Sequence, residues 1–398
     1  MRIIGILLLL LALAVYFVRH PATQVTTPAA EAPVAFIPPY ASLPGVLSAS
    51  RDQIMALAGD GIPWAWGIND KLQLGLPERR AYTLPESVPV SSPFQRIFQG
   101  DDISYGLDGG GQLWRLAAAA NSYPPPASNG FTSVFAGERW KKVESRWNMG
   151  VGLSSTGDLS AWNEEDFSAA NPPGRHHIVP AQPWQDFCVG QGNMLAVASD
   201  GSLWRSLTPS TAFTSILAPV NPGEPAPDSI TLQQIPASTR FQHVYCRDNT
   251  GQVLALDENF QLWGYGHDQF GELGDGGNAP DVRYQDIKRV NGEHWLDVAV
   301  APGFTLAIRG DGSLWSWGNN SSGNLGTGDN DSHNTPALID QQHRWLAVAA
   351  SHGSGVALSS EGQLYAWGNN GAGLLGDGGV AERRNRPGLI NSNTLWKK

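Results

Sequence analysis

The sequence is short of the residues from which most chemistry is assembled. It has two cysteines among 398 residues, Cys188 and Cys246, in neither a CxxC nor a metal-ligand spacing, so no disulfide framework or thiolate metal site is expected. With so few cysteines, two buried thiols are favoured over one disulfide, since cysteine is among the most often buried side chains. Only 16% of the residues are charged, the formal net charge is −10, and no run of Lys and Arg exceeds two residues. A chain of that sign offers no general attraction to nucleic acid. HExxH and GxSxG are absent, and no catalytic set, cofactor site or metal site is assigned. His176-His177 are adjacent on an extended chain, so their side chains point oppositely and suit a solvated loop better than a metal. The stretch DNDSHNT from Asp329 lacks the central glycine and final glutamate of a calcium loop.

What abounds is turn chemistry and tryptophan. Forty-six glycines, twenty-eight prolines and fifteen tryptophans favour many short strands joined by tight turns over long helices. The N-terminus differs from the rest. Met1-Arg2 precede sixteen uncharged residues, Ile3 to Val18, and Arg19-His20 follow. That is the layout of a signal peptide or a signal anchor, so one hydrophobic helix over 1–20 and export of the remainder are expected. Residues 21–42, rich in Pro and Ala, fit an extended linker between membrane and body.

The body is a repeat. The stretch GDGSLWSWGNNSSGNLGTGD from Gly310 returns as SEGQLYAWGNNGAGLLGDGG from Ser360, ENFQLWGYGHDQFGELGDGG from Glu258 and GDGIPWAWGINDKLQLG from Gly59. Fainter copies start at Gly109, Ser155 and Ser199. The position of Trp315 is held in turn by Trp64, Trp114, Ser160, Trp204, Trp263, Trp315 and Tyr365. Upstream of six copies stands an aromatic followed three residues later by an apolar residue: Phe94, Trp140, Trp184, Phe241, Trp295 and Trp345. The first copy lacks it, and the C-terminal Trp396 is expected to supply it. Residues two apart share one face of a strand, so Trp315 and Trp317 point the same way. Each unit then holds about four antiparallel strands, and a lone four-stranded sheet cannot bury such aromatics. Seven sheets stacked radially can, which predicts an all-β, seven-bladed β-propeller over 43–398.

The motif D-G-x-L-W-x-W-G-x-N-x-x-G-x-L-G over Asp311 to Gly326 resembles the regulator of chromosome condensation repeat. The resemblance covers about residues 43 to 398, strong in the first, fifth, sixth and seventh copies and faint in the second to fourth. It implies a seven-bladed propeller of roughly fifty-residue repeats. Departures are Phe304 and the stretch SHGSGVA from Ser351, where family repeats often carry G-x-x-H-T. The founding member is a nuclear nucleotide-exchange factor that binds chromatin, a role an acidic, exported chain does not suit. Exported bacterial-type members include an inhibitor that presses one propeller face onto an enzyme. The expectation is therefore a non-catalytic, monomeric, protein-binding propeller of the cell envelope, tethered in the inner membrane with the propeller outside the cytoplasm, or secreted. An envelope hydrolase or glycan-binding module with a site at a channel mouth is the alternative. The bends between the first two strands of each blade gather on one face of the disc. They hold Asp101, Asp102, Arg146, Trp147, Gln191, Arg247, Asp248, Phe304 and His352, the candidate partner-binding residues. Trp147 stands outside the repeat register, either as a contact residue or as loop packing.

Overall fold

A computed structural model describes residues 43–100, 102–117, 130–146, 149–167, 173–190, 193–206, 229–246, 251–277, 284–379, 381–390, 394 and 396. They form seven four-stranded antiparallel blades, numbered 1 to 7, gathered into five hydrogen-bonded sheets. Blade 6 is representative, with strands at Tyr284–Ala301, Phe304–Arg309, Leu314–Gly318 and His333–Asp340. Its innermost strand begins as the outermost strand of blade 5, so the two blades form one sheet of seven strands. Each innermost strand packs against the next, and that of blade 7 (Trp345–Ala350) against that of blade 1 (Leu47–Ala49), closing the ring.

The repeated aromatics explain the closure. In six blades the N–H that opens the innermost strand donates to the turn of the preceding blade, as in Phe94 to the Gly61 carbonyl (2.8 Å) and Trp345 to that of Gly312 (3.0 Å). Trp396 makes the seventh such bond, to the Gly362 carbonyl at 3.3 Å, and bridges Ala58. Its ring is buried against Trp64 and Trp66, with centroids 6.0 and 6.4 Å away. Trp295 meets Trp315, Phe241 meets Trp263 and Trp184 meets Trp204 in the same edge-on manner.

The second tryptophan of the first, sixth and seventh copies joins blades. The Nε1–H groups of Trp317, Trp367 and Trp66 donate to the carbonyls of Glu272, Asn324 and Leu374, each in the G-x-L-G loop of the preceding blade. The final glycine of that loop lies flat on the indole. A Cβ on Gly274 or Gly326 would come within 2.7 Å of Trp317 or Trp367, and both have φ near +80° (+82° and +72°).

Blades 2, 3 and 4 lack that loop sequence and are joined by other means. Trp162 of blade 3 donates to Glu164 Oε1 (3.1 Å), which also accepts from the Tyr105 hydroxyl of blade 2 (2.6 Å), while Arg115 of blade 2 pairs with Oε2 at 3.0 Å. Arg205 of blade 4 reaches the Tyr265 hydroxyl of blade 5 at 2.6 Å. Blades 3 and 4 are fused along their outer edges, where His176–Val179 and Ser229–Ile235 pair in parallel. Four other outer edges are blunt: blade 2 ends in three residues, Thr132–Val134, and the outermost strands of blades 1, 6 and 7 contain Pro85, Pro336 and Pro387.

The expectation of free thiols is corrected. Cys188 and Cys246 form a disulfide across the innermost strands of blades 4 and 5, with Cα atoms 5.6 Å apart. Fifty-eight residues separate them in the chain, but the ring sets these strands side by side, which sequence spacing does not reveal. The apolar run 3–18 lies outside the described residues, and among those described no helix is long and apolar enough to cross a membrane.

Candidate functional site: the loop face and the axial channel

First-to-second-strand bends and the long third-to-fourth-strand loops emerge on the same face. The loop of each strong copy opens on a side chain that folds it from within. In blade 6 Asn320 Oδ1 accepts the Leu325 N–H (2.9 Å) and its Nδ2 donates to the carbonyls of Asp329 and Asp331 (3.2 and 3.0 Å). In blade 7 Asn370 does the same for Leu375 and Ala381. The loops are also pinned sideways: Asn385 of blade 7 donates to the Gly328 carbonyl and accepts the Gly328 N–H on its own carbonyl, and Asn334 treats Gly276 alike. A face held by so many backbone bonds presents its variable side chains in fixed positions.

Of the residues expected there, Asp102 and His352 stand exposed or half-exposed on this face. Asp102 takes an ion pair from Lys71 of blade 1 (3.0 Å), and the His352 N–H donates to the Arg51 carbonyl (3.4 Å). Arg146 ends the innermost strand of blade 3 and lines the axial channel. Asp101, Trp147, Gln191, Arg247 and Asp248 fall outside the described residues. Phe304 is corrected: it opens the second strand of blade 6 with its ring 1% exposed inside the blade 6–7 core, so it cannot meet a partner. It stands where the bend has already ended and the strand has turned inward.

Three residues were missed. Arg51 occupies the bend of blade 1, which sequence reasoning passed over because that copy lacks its opening aromatic. Lys71 and Phe270 occupy one loop position, filled by Ser322 and Ala372 in blades 6 and 7, and a comparison among the strong copies would have singled out its variability. Phe270 is 40% exposed and leans over Gly303 of blade 6.

The innermost strands enclose an axial channel of about 720 Å³. At its end away from the loops, the third residue of the innermost strand clips one blade to the next in blades 2, 3, 4 and 6. Arg96 donates to the Lys141 carbonyl, Lys142 to that of Phe187, Asp186 accepts the Val244 N–H and Asp297 that of Val348. Those N–H groups are free to be clipped because a bulge just after the opening aromatic shifts the ladder. Burial would raise the Asp186 carboxyl, but the Lys142 ammonium (2.9 Å) and His243 (3.2 Å) hold it down at about 2. Burial pushes Asp297 up to about 7 despite the Val348 and Val298 N–H groups and the charge of His243. Among the described residues no group of three or more His, Cys, Asp or Glu is arranged to hold a metal.

Comparison with known proteins agrees with this architecture. Two models of the regulator of chromosome condensation (RCC1) repeat match residues 311–358 and 297–324. The chain is 25% identical over 299 residues to the E3 ubiquitin-protein ligase HERC2 of Mus musculus, covering 70% of this chain and 6% of that protein. In fold it is similar to Prp20p of Saccharomyces cerevisiae, in a structure described with its binding to Gsp1p and histones (TM-score 0.67, 15% identity, 85% of this chain and 87% of that one). It is similar too to yeast RCC1 (Prp20) in a structure with Kap60 bound (TM-score 0.68, 15% identity, 93% and 92%).

Proposed function

Because the chain is a propeller built of regulator of chromosome condensation repeats, we propose that it is a non-catalytic protein-binding propeller of the cell envelope that displays its loop face to a protein partner. The observation that carries this reading is the division of labour within each repeat. The recurring residues, indoles, loop asparagines and G-x-L-G glycines, are consumed in joining blades. The side chains left over at the bends and loop tips, Arg51, Lys71, Asp102, Phe270 and His352, differ from blade to blade, as a surface selected for one partner requires.

Two further features support it. The Cys188–Cys246 disulfide suits an oxidising compartment outside the cytoplasm, in line with an exported chain. Yeast Prp20p, described with Gsp1p and histones, offers a precedent for protein binding by this fold. The second reading, a hydrolase or glycan-binding module, has one observation in its favour: the half-buried Asp297 carboxyl in the channel, pushed up to about 7.

The test is capture from envelope extract on the immobilised full-length protein, followed by affinity measurement for the top hit. Phe270→Ala, Asp102→Ala and Arg146→Ala should weaken it at least fivefold, while Gln95→Ala on the opposite face should not. Equal binding by all four variants would reject the loop face.

A further inference from the structure

Blade 5 breaks a rule that blades 1, 6 and 7 keep. Where those have Asn69, Asn320 and Asn370, blade 5 has Asp268. The Oδ1 half is unchanged, accepting the Leu273 N–H at 2.9 Å as the asparagines accept Leu74, Leu325 and Leu375. The other half is altered. In the asparagine loops the Nδ2 group donates into a cage of oxygens: the Leu76 and Glu78 carbonyls in blade 1, and Asp377 Oδ1 (3.1 Å) with the Ala381 carbonyl in blade 7. Asp268 puts an oxygen, Oδ2, in that donor's place. The residue is 1% exposed, and Oδ2 is buried without a hydrogen-bond partner among the described residues. Asp275 is the counterpart of Asp377, the residue to which Asn370 donates. An oxygen can occupy a donor's station beside a carboxylate only if it carries a proton.

We propose that Asp268 and Asp275 form a carboxyl pair sharing one proton, and that loss of this proton unlatches the blade 5 loop and with it the Phe270 corner of the loop face. Among the described residues, the groups around the pair supply one imidazole, His267, and it faces Glu272 rather than the pair. Within the loop, Glu272 accepts the Phe270 N–H (2.6 Å) and meets His267 Nδ1 at 3.4 Å. From the rest of blade 5 comes Gln252, and from blade 6 come Thr305, Trp317 and Asn334, all uncharged. Burial, with the Asp275 and Glu272 carboxylates adding to it and the Leu273 N–H opposing, pushes Asp268 up to about 7. The consequence spreads because the Glu272 carbonyl is a hub, accepting from Gln252 (2.7 Å), Thr305 (2.9 Å) and Trp317 (2.8 Å). A folded-state value above the unfolded one means that the latch is closed at low pH and opens as pH rises through neutrality.

The test is a carbon-13 titration of the Asp268 carboxyl in the full-length protein, with hydrogen exchange across residues 268–277 corrected for intrinsic rates. The expected results are a midpoint within about one unit of 7 and roughly a tenfold loss of protection between pH 6 and 8, as the protonated fraction falls by that factor. Asp268→Asn restores the amide donor and should abolish the pH step, keeping the loop protected at pH 8. Asp275→Asn removes the neighbouring anion and should move the Asp268 midpoint down. A midpoint below 5, or an undiminished step in Asp268→Asn, overturns the latch. Should Asp268→Asn fail to fold, an Asp268 midpoint unmoved by Asp275→Asn overturns the pair on its own.

Discussion

Replacing Trp396 with alanine tests whether the ring is closed by the last described residue of the chain. A tryptophan removes roughly 150–250 Å² from water on burial, and at about 25 cal/mol per Å² that is about 4–6 kcal/mol before corrections. Trp396 is 3% exposed, so nearly all of its surface counts. A collapsed unfolded chain lowers the figure, and aromatic-to-alanine changes in cores cost about 3–5 kcal/mol. We expect a loss of about 3 kcal/mol. Unfolding entropy of about 2.1 cal/mol/K per residue over a body of roughly 350 residues turns this into a fall in Tm of about 4 °C. The internal standard is Trp345→Ala, which removes the equivalent side chain in mid-chain and should cost the same within about 1 kcal/mol. Trp396→Phe should recover most of the loss, because Phe94 and Phe241 fill this station in other blades. The assay is urea unfolding followed by far-ultraviolet circular dichroism. A midpoint for Trp396→Ala within error of the parent, alongside a clear loss for Trp345→Ala, would refute the closure.

Four other outcomes are expected. Glu164→Ala strands Arg115, the Tyr105 hydroxyl and the Trp162 N–H at the blade 2–3 junction and should cost about 3 kcal/mol by urea melting, with Glu164→Gln milder. Asp186 sits at about 2 folded against about 3.9 unfolded, so its contribution of about 2 kcal/mol is full above pH 4 and is lost as pH falls toward 2; Asp186→Asn should flatten the urea midpoint over that window. Gly326→Ala drives a Cβ into Trp367 at a left-handed backbone and should lower stability by more than about 2 kcal/mol, whereas Gly137→Ala, with φ +87° and open space, should cost about 1 kcal/mol in the same thermal melts. Reducing Cys188–Cys246 frees a 58-residue loop and should cost about 4 kcal/mol by loop entropy, read as a lower urea midpoint in the presence of dithiothreitol.

The blade architecture was legible because its causes are local and repeated. Trp315 and Trp317, the Asp-Gly turn and the G-x-L-G loop each mark a strand or a turn, and seven copies of the pattern leave few alternatives to a propeller. Even the docking of Trp396 on blade 1 could be inferred, from one missing aromatic and one surplus tryptophan. What escaped is relational. The disulfide depends on which innermost strands become neighbours, and the Glu164 network on what replaces a loop that blade 2 lacks. Phe304 was misjudged by one or two residues, enough to carry a side chain from a bend into the core. Phe270 and Lys71 carry no motif of their own, and their prominence appears only when the four strong loops are superposed.

The blunt outer edges constrain what kind of recognition this molecule can perform. A sheet edge with unpaired N–H and C=O groups invites another chain to extend it, a mode that reads backbone more than side chains. Here the edges of blades 3 and 4 satisfy one another, that of blade 2 is three residues long, and prolines interrupt those of blades 1, 6 and 7. Those six edges, among the described residues, are poor templates both for self-polymerisation and for capture of an extended peptide as an added strand. A partner met on the loop face is instead read by side chains, and specificity there resides in the few positions where one blade differs from the next.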